Sequence, residues 1–405
     1  MGNSLFFKKE LRHLLPSNQE NGIQVEYADI EDRVKALILN DLLKVNWQIK
    51  INSNKIEVLP PKSYDKQTIV STMSVKRREI IDLNKEWIFK HLDLARENLA
   101  SGPSVLKSSI NPVIEVCHTQ DQHDLFRIYR YYWSSPYSDY VGRRIKLIIR
   151  DCAIPNNPVI GIAALGSPII HIPERDDFIG WDKQTRTKNL VFTMDAYVAG
   201  ALPPYNHLLG GKLISYILAS KEVRQIYERK YSNKLSIISK RKSNQLAGIF
   251  TTSLYGKSSQ YNRIKYNDVL LYKHIGFTRG YGTLHLSDMT ISAMIELLKS
   301  KGIFISHRFG EGPSWVMRII RATGDVLGFN SDILLQHSFK RAIYFVPYAT
   351  NYREFLNSTT QELCYYDYSI NELVSYWKRR WLENRKKSLN VVTEVMKFTP
   401  ENFIL

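Results

Sequence analysis

Apolar residues along this chain fall into helical spacing, short alternation and closed runs, and these patterns succeed one another from end to end. Val34, Leu37, Ile38 and Leu42 share one face of an expected helix over 30–43, and the run from Trp47 to Val58 alternates like a ribbon closed by Pro60-Pro61. A second helix is expected over 74–99, with Ile80, Ile81, Trp87, Ile88, Leu92 and Leu99 on one side, ending at Ser101-Gly102-Pro103. A domain boundary is placed there. Helix, ribbon and a helix bearing Lys76, Arg77 and Arg78 fit a winged DNA-binding unit or a plain helical cap, the cap being the simpler.

In the middle third, Leu125, Phe126, Tyr129 and Trp133 predict a helix over 120–133. Ile145, Leu147 and Ile149 alternate with Lys146 and Arg150, and after Pro155-Asn156-Asn157-Pro158 the run from Val159 to Leu165 offers an antiparallel partner. A helix over 186–194 leads to Tyr197–Leu202, Pro203-Pro204 and a helix over 206–218, with further strands at 235–238 and 248–253. This order of strand, proline break, glycine-containing helix start and strand resembles the acyl-CoA-binding core of the GNAT acetyltransferases. There, backbone amides and the positive end of a helix cradle a pyrophosphate. Here the turn reads His207-Leu208-Leu209-Gly210-Gly211-Lys212. Gly210 and Gly211 are the candidate cofactor-binding pair, with close helix packing as their simpler role.

Past Ser287 a helix over 289–301, a strand-like run from Ile303 to Phe309 and a helix begun by Pro313 are expected. On that last helix Arg318, Arg321 and Asp325 form one polar stripe. A terminal helix over 371–387 sets Tyr376, Trp377 and Trp381 beside Lys378, Arg379, Arg380, Arg385, Lys386 and Lys387. The expected fold class is therefore α+β, a mixed α/β chain. It has a helical N-terminal domain with a short β ribbon (1–103), a central GNAT-like mixed sheet with helices (112–287) and a basic C-terminal α/β extension (288–405).

Charge sharpens this picture. The 405 residues carry a formal net charge of +17, and the stretch from Lys221 to His285 holds thirteen Lys/Arg against three Asp/Glu, threaded with seven tyrosines. Cations meet phosphates and tyrosine rings stack on bases. The segment 251–263 concentrates hydroxyls, amides and cations too polar for a core, and glycines after Lys273 present Arg279 and Tyr281. The expected nucleic-acid-binding residues are Tyr255, Lys257, Gln260, Tyr261, Arg263, Lys265, Lys273, Arg279, Tyr281, Arg318 and Arg321. DNA is favoured over RNA, and His285 serves as a general base only if it faces this groove.

Other chemistry is missing. The chain has no P-loop, HExxH or GxSxG motif, and its acids are scattered, Asp176-Asp177 and Asp182 reading as a turn. No metal site or cofactor is expected, the catalytic residues are unknown, and whether the chain is an enzyme stays open, leaning against. Cys117, Cys152 and Cys364 show no CxxC spacing and read as small buried hydrophobes. With no apolar run of spanning length and no export signal over 1–15, the cytoplasm is the expected compartment and no membrane partner is expected.

Five blocks carry a resemblance: Tyr140-Val141-Gly142-Arg143-Arg144-Ile145-Lys146, Phe178-Ile179-Gly180-Trp181, Leu254-Tyr255-Gly256-Lys257-Ser258-Ser259-Gln260-Tyr261, Gly310-Glu311-Gly312-Pro313-Ser314-Trp315 and His337-Ser338-Phe339-Lys340-Arg341. In this order, over residues 120–385, they resemble the DruA family of Druantia anti-phage proteins. The resemblance implies a bacterial antiviral component working with other Druantia proteins, among them the helicase-like DruE, and supplies no catalytic residue. Three functions stay open: a nucleic-acid-engaging subunit, a GNAT-like transferase modifying a base or protein, and an assembly platform for acidic partner proteins.

Overall fold

The computed structural model describes residues 29–52, 55–133, 142–235, 240–306 and 314–405. The chain forms two compact units, each assembled from separated stretches: Met1–Lys76 with Arg279–Lys340, and Arg77–Thr278 with Arg341–Leu405.

In the first unit, Asp29 caps the helix Ile30–Lys44, and the ribbon follows as antiparallel strands β1 (Gln48–Asn52) and β2 (Lys55–Leu59). Helices Asp288–Ser300, Trp315–Leu327 and Ser331–Leu335 complete it. Asp41 is buried, and one of its carboxylate oxygens accepts from the Ser287 amide and the Thr290 hydroxyl, both at 2.6 Å. His285 is buried too, its ring parallel to Trp47 at 5.5 Å. It belongs to this core and faces no groove. Residues 303–306 form no strand, and the rest of that expected run lies outside the described residues.

The second unit is built on one sheet. Its strands are β3 (Pro112–Val116), β4 (Arg144–Asp151), β5 (Val159–Gly166), β6 (Thr193–Ala201) and β7 (Gly248–Ser253), followed by β10 (Lys273–Phe277) and β11 (Ala342–Pro347) after a small hairpin, β8 (Lys265–Tyr266) with β9 (Val269–Leu270). The order is β10-β11-β7-β6-β5-β4-β3 in a 7-stranded sheet. Among the described strands of this sheet only β6 and β7 run parallel, joined by helices Gly210–Leu218 and Lys221–Tyr231. Every residue of β5 is buried, as a central strand covered on both faces requires. On one face Leu147, Ile149, Ala163 and Leu165 pack with Leu213, Ile214 and Ile217; on the other Ile148, Ile162 and Ala164 pack with Phe126 and Tyr129.

The parallel register is short. Thr193, Met194 and Asp195 face Gly248, Ile249 and Phe250, and the two strands then part. Side chains close the opening: the Thr251 hydroxyl donates to the Ala196 carbonyl at 2.9 Å and the Gln260 amide donates to that of Ala199 at 3.1 Å. The chain's own segment around Gln260 fills the gap.

Several elements depart from their sequence pattern for local reasons. The helix expected over 74–99 is two helices, Lys66–Leu83 and Lys85–Glu97, separated at Asn84. At 101–103, where the helix is expected to end, a short helix begins, Gly102–Lys107, which Ser101 caps with Pro103 in its first turn. The expected helix over 186–194 stops early: Lys183–Asn189 is helical, Leu190–Phe192 is a tight 3₁₀ turn, and β6 begins at Thr193. Leu209, at φ 61°, delays the next helix to Gly210. Of the strand expected over 235–238, Leu235 pairs only with Lys242, and 236–238 lie outside the described residues. Among the cysteines only Cys117 is buried; Cys152 and Cys364 are exposed.

Close backbone approach explains Gly161, because a Cβ there would stand 2.2 Å from the Gly200 carbonyl oxygen on β6. Gly161→Ala is therefore expected to cost about 1–3 kcal/mol through overpacking, read by urea unfolding.

Candidate nucleic-acid interface

The helix Gly210–Leu218 is almost wholly apolar and buried, yet it carries Lys212 in its first turn. An ammonium in such a place must find acceptors. Lys212 Nζ donates to the carbonyls of Ser259 and Asn262 and lies 4.5 Å from the centre of the Trp381 ring. Burial, followed by repulsion from Arg263 and Arg380, pulls its pKa down to about 8, and no acidic group enters among the causes. Lys212 and Arg380 thus meet at one ring with Arg263 nearby, and among the described residues none of the three forms an ion pair with an acid.

The segment that receives Lys212 is pinned from below. Gly256 and Arg263 turn the chain at φ 71° and 63°. The Tyr344 hydroxyl accepts from the Ser258 amide and donates to the Asn262 side chain. Tyr261 is buried between Tyr272 and Tyr344, at 5.2 and 5.1 Å between ring centres. With Gln260 and Tyr261 turned inward, Lys257, Ser259, Arg263 and Lys265 are left exposed. The expectation that 251–263 is too polar for a core is corrected here: Thr251, Ser253 and Tyr261 are all buried, and the Thr251 hydroxyl serves the gap beside β6.

The C-terminal helix supplies the other half. Ser369 and Glu372 form a capping box at the start of Ile370–Trp377, and Ile370, Leu373, Val374 and Trp377 pack inward. A wider π turn, Lys378–Leu382, then interrupts the helix before Glu383–Lys386, a feature frequent at functional sites. It exposes Arg379 and Arg380, with Arg380 5.2 Å from the centre of the half-buried Trp381 ring. Trp381 donates to the Tyr216 hydroxyl, which in turn donates to the Lys265 carbonyl at 2.9 Å. By contrast Trp377, Arg385 and Lys386 are structural, donating to the carbonyls of Leu209, His207 and Leu106.

Of the residues expected from sequence, Arg263 and Lys265 stand on this face. Tyr255 is half-buried in the same segment, and exposed Lys257 adds to the burial that lowers the pKa of His274. Gln260 and Tyr261 support the segment from inside, Tyr261 buried and Gln260 half-buried. Lys273 is on the opposite side of the sheet: on β10 it faces Phe345, whose ring joins Phe250 and Ile179, whereas its neighbour His274 faces Tyr344. Arg279, Tyr281, Arg318 and Arg321 belong to the other unit. There Arg321 donates to the Tyr281 hydroxyl at 2.7 Å and pairs with Asp332 at 3.5 Å, while Arg318 donates to the Ser306 carbonyl.

The candidate cofactor glycines are occupied by packing. A Cβ on Gly210 would meet the Tyr205 carbonyl oxygen at 2.6 Å, and one on Gly211 would meet the Gln260 side chain at 3.2 Å. The acidic cluster near 176 is also structural. Asp176 is buried and pairs with Arg175 and Arg186 at 2.7 and 2.8 Å, and Asp182 caps a helix. Among the described residues no group of acids, histidines and cysteines is arranged to hold a metal ion, and no helix is long and apolar enough to cross a membrane.

Sequence reasoning missed Lys212 and Arg380 as partners of Arg263. A single lysine in the run Gly210-Gly211-Lys212-Leu213-Ile214 was the available signal, since burial of that run forces its charge toward a specific place.

Comparison with known proteins now decides the family. Residues 63–358 match the family model described as Druantia protein DruA. The chain belongs to the DruA family. A curated DruA protein from Escherichia coli (strain UMEA 4076-1) is 38% identical over 290 residues, covering 71% of each chain. No solved structure matches. Two of the DruA-like blocks have structural duties here: Arg143 donates to the carbonyls of Val191 and Thr193 and to the Tyr227 hydroxyl, and Trp181 donates to the Leu356 carbonyl. The family match ends before the C-terminal helix that carries Arg380.

Lys212 gives a pH test. Its folded-state pKa of about 8 lies below the ordinary 10.5, so between those values the unfolded chain binds more protons and stability rises with pH. Relative to Lys212→Met, the wild type is expected to gain stability in urea unfolding between about pH 7.5 and about pH 9.5.

Proposed function

We propose that this chain is a component of Druantia anti-phage defence that engages nucleic acid, DNA before RNA, through the face formed by Lys212, Arg263, Lys265, Arg380 and Trp381. One observation carries the reading: Lys212 and Arg380, from separate parts of the second unit, both stand at the Trp381 ring, 4.5 and 5.2 Å from its centre, and Arg263 is near enough to add to the lowering of the Lys212 pKa. Cations held together at such a cost favour a polyanion arriving from outside. Other Druantia proteins, including the helicase-like DruE, are the proposed partners that supply ATP-driven work, and the cytoplasm is the proposed compartment.

A GNAT-like scaffold is the second reading, favoured by the succession of β6, a proline break, the Gly210–Leu218 helix and parallel β7. Transferase chemistry on that scaffold is less favoured, since Gln260 and Tyr205 fill the positions beside Gly210 and Gly211. A thermal-shift screen with acyl-CoA compounds is expected to stay flat; clear stabilisation by one of them would restore the transferase.

The direct test is a salt titration of binding to labelled phage DNA, single-stranded DNA and RNA. Arg263→Ala and Arg380→Ala are each expected to flatten the log–log slope by about 0.7–0.9, while Lys273→Ala and Arg321→Ala leave it unchanged. No binding of any of the three at moderate salt would overturn the reading. Co-purification of a partner protein that survives nuclease treatment would then favour an assembly platform.

A further inference from the structure

Beside the cationic face runs a series of tyrosine rings. Tyr366 stacks on Tyr368 with centres 5.0 Å apart and planes within 13°. Tyr368 meets Tyr266 edge-on at 5.1 Å, Tyr266 meets Tyr376 at 5.5 Å, and Tyr376 meets Tyr216 at 6.0 Å. Tyr216 then receives the Trp381 hydrogen bond, so the series ends at the ring shared by Lys212 and Arg380. Tyr216 is buried, while Tyr266, Tyr366, Tyr368, Tyr376 and Trp381 are only half-buried.

The backbone fixes this array. Tyr266 ends β8, whose two-residue turn has both central residues, Asn267 and Asp268, at positive φ of 46° and 61°, the geometry that suits a tight hairpin. Tyr366 and Tyr368 are two residues apart, held by amide-to-carbonyl bonds from Tyr366 to Tyr348 and from Lys221 to Tyr368. Tyr376 lies on the capped helix immediately before the π turn. Asp367, between the two tyrosines in the chain, is paired with Lys221 at 2.9 Å, exposed Lys265 immediately precedes Tyr266, and exposed Arg380 stands over the Trp381 ring at the end of the series.

The geometry points to a stacking platform for single-stranded nucleic acid, with the tyrosines and Trp381 taking unpaired bases and the neighbouring cations taking the phosphates. This inference rests on the proposed nucleic-acid face and adds its strand form. Half-buried rings held by their neighbours lose little freedom on binding, and every base offers them a flat surface. A duplex hides its base faces, leaving only phosphates for the cations.

The test compares a labelled mixed-sequence single strand with a blunt duplex of equal length, using the full chain at one salt concentration. The wild type is expected to prefer the single strand. Tyr366→Ala with Tyr368→Ala, and separately Tyr376→Ala, are expected to weaken single-strand binding by at least about fivefold per ring while leaving duplex binding and the salt slope unchanged. The double Tyr366→Phe, Tyr368→Phe variant keeps the rings and is expected to bind like the wild type, which separates stacking from loss of fold. Equal or tighter binding of duplex, or alanine variants that bind the single strand normally, would overturn the platform and leave the cationic face standing. A wild type that binds neither form would overturn both.

Discussion

The parallel pairing of β6 and β7 lasts for three residues, and the arrangement of the second unit follows from how the chain closes the gap beyond it. The backbone carbonyls of buried Ala196 and half-buried Ala199 need donors where the β6–β7 pairing has stopped. Thr251 and Gln260 supply them, which commits the segment around Gln260 to lie against the Gly210–Leu218 helix. Gln260 also donates to Ser215 on that helix, at 3.3 Å. Once Tyr261 is packed between Tyr272 and Tyr344, Arg263 and Lys265 face outward, Lys212 reaches the segment's carbonyls, and the C-terminal helix covers the joint with Trp381.

The same closure links fold to function. A mixed sheet with one parallel step is a general scaffold, and scaffold alone does not assign chemistry. Here the chain's own side chains occupy the gap and the glycine-containing turn, so the site with unspent interaction capacity lies outside, on the surface that the plugging segment presents. Its electrostatics are unfavourable within the protein by itself: Lys212 is shifted toward neutrality by burial and by two arginines. In the proposed function, a polyanion is what relieves that repulsion, with the Trp381 ring beside it.

Much of the fold was legible in residue pattern. Alternation of Ile145, Leu147 and Ile149 and the run from Val159 to Leu165 read as antiparallel neighbours, and they pair as β4 and β5. Failures came where a few residues overrode periodicity, as at Asn84, at Leu209 with positive φ, and at Leu190–Phe192, where apolar spacing continued while the backbone changed. The candidate site was visible as composition and not as geometry. Arg263 and Lys265 were found because they are charged, but Tyr261 and Gln260 were assigned to the surface because polar and aromatic residues in one segment cannot be sorted into inner and outer sets from order alone. Strand alternation sent Lys273 to the other side of the sheet from His274, and Lys212 looked like a flaw in a phosphate turn when it is held by the carbonyls of Ser259 and Asn262 beside the Trp381 ring.

Photo-crosslinking of a single-stranded oligonucleotide to the full chain, followed by peptide mapping, tests the central claim most directly. Crosslinks confined to the peptides that contain Arg263–Tyr266 and Tyr366–Trp381 are the predicted result. Crosslinks that avoid both, and map to the first unit or to the Lys273 side of the sheet, would contradict it.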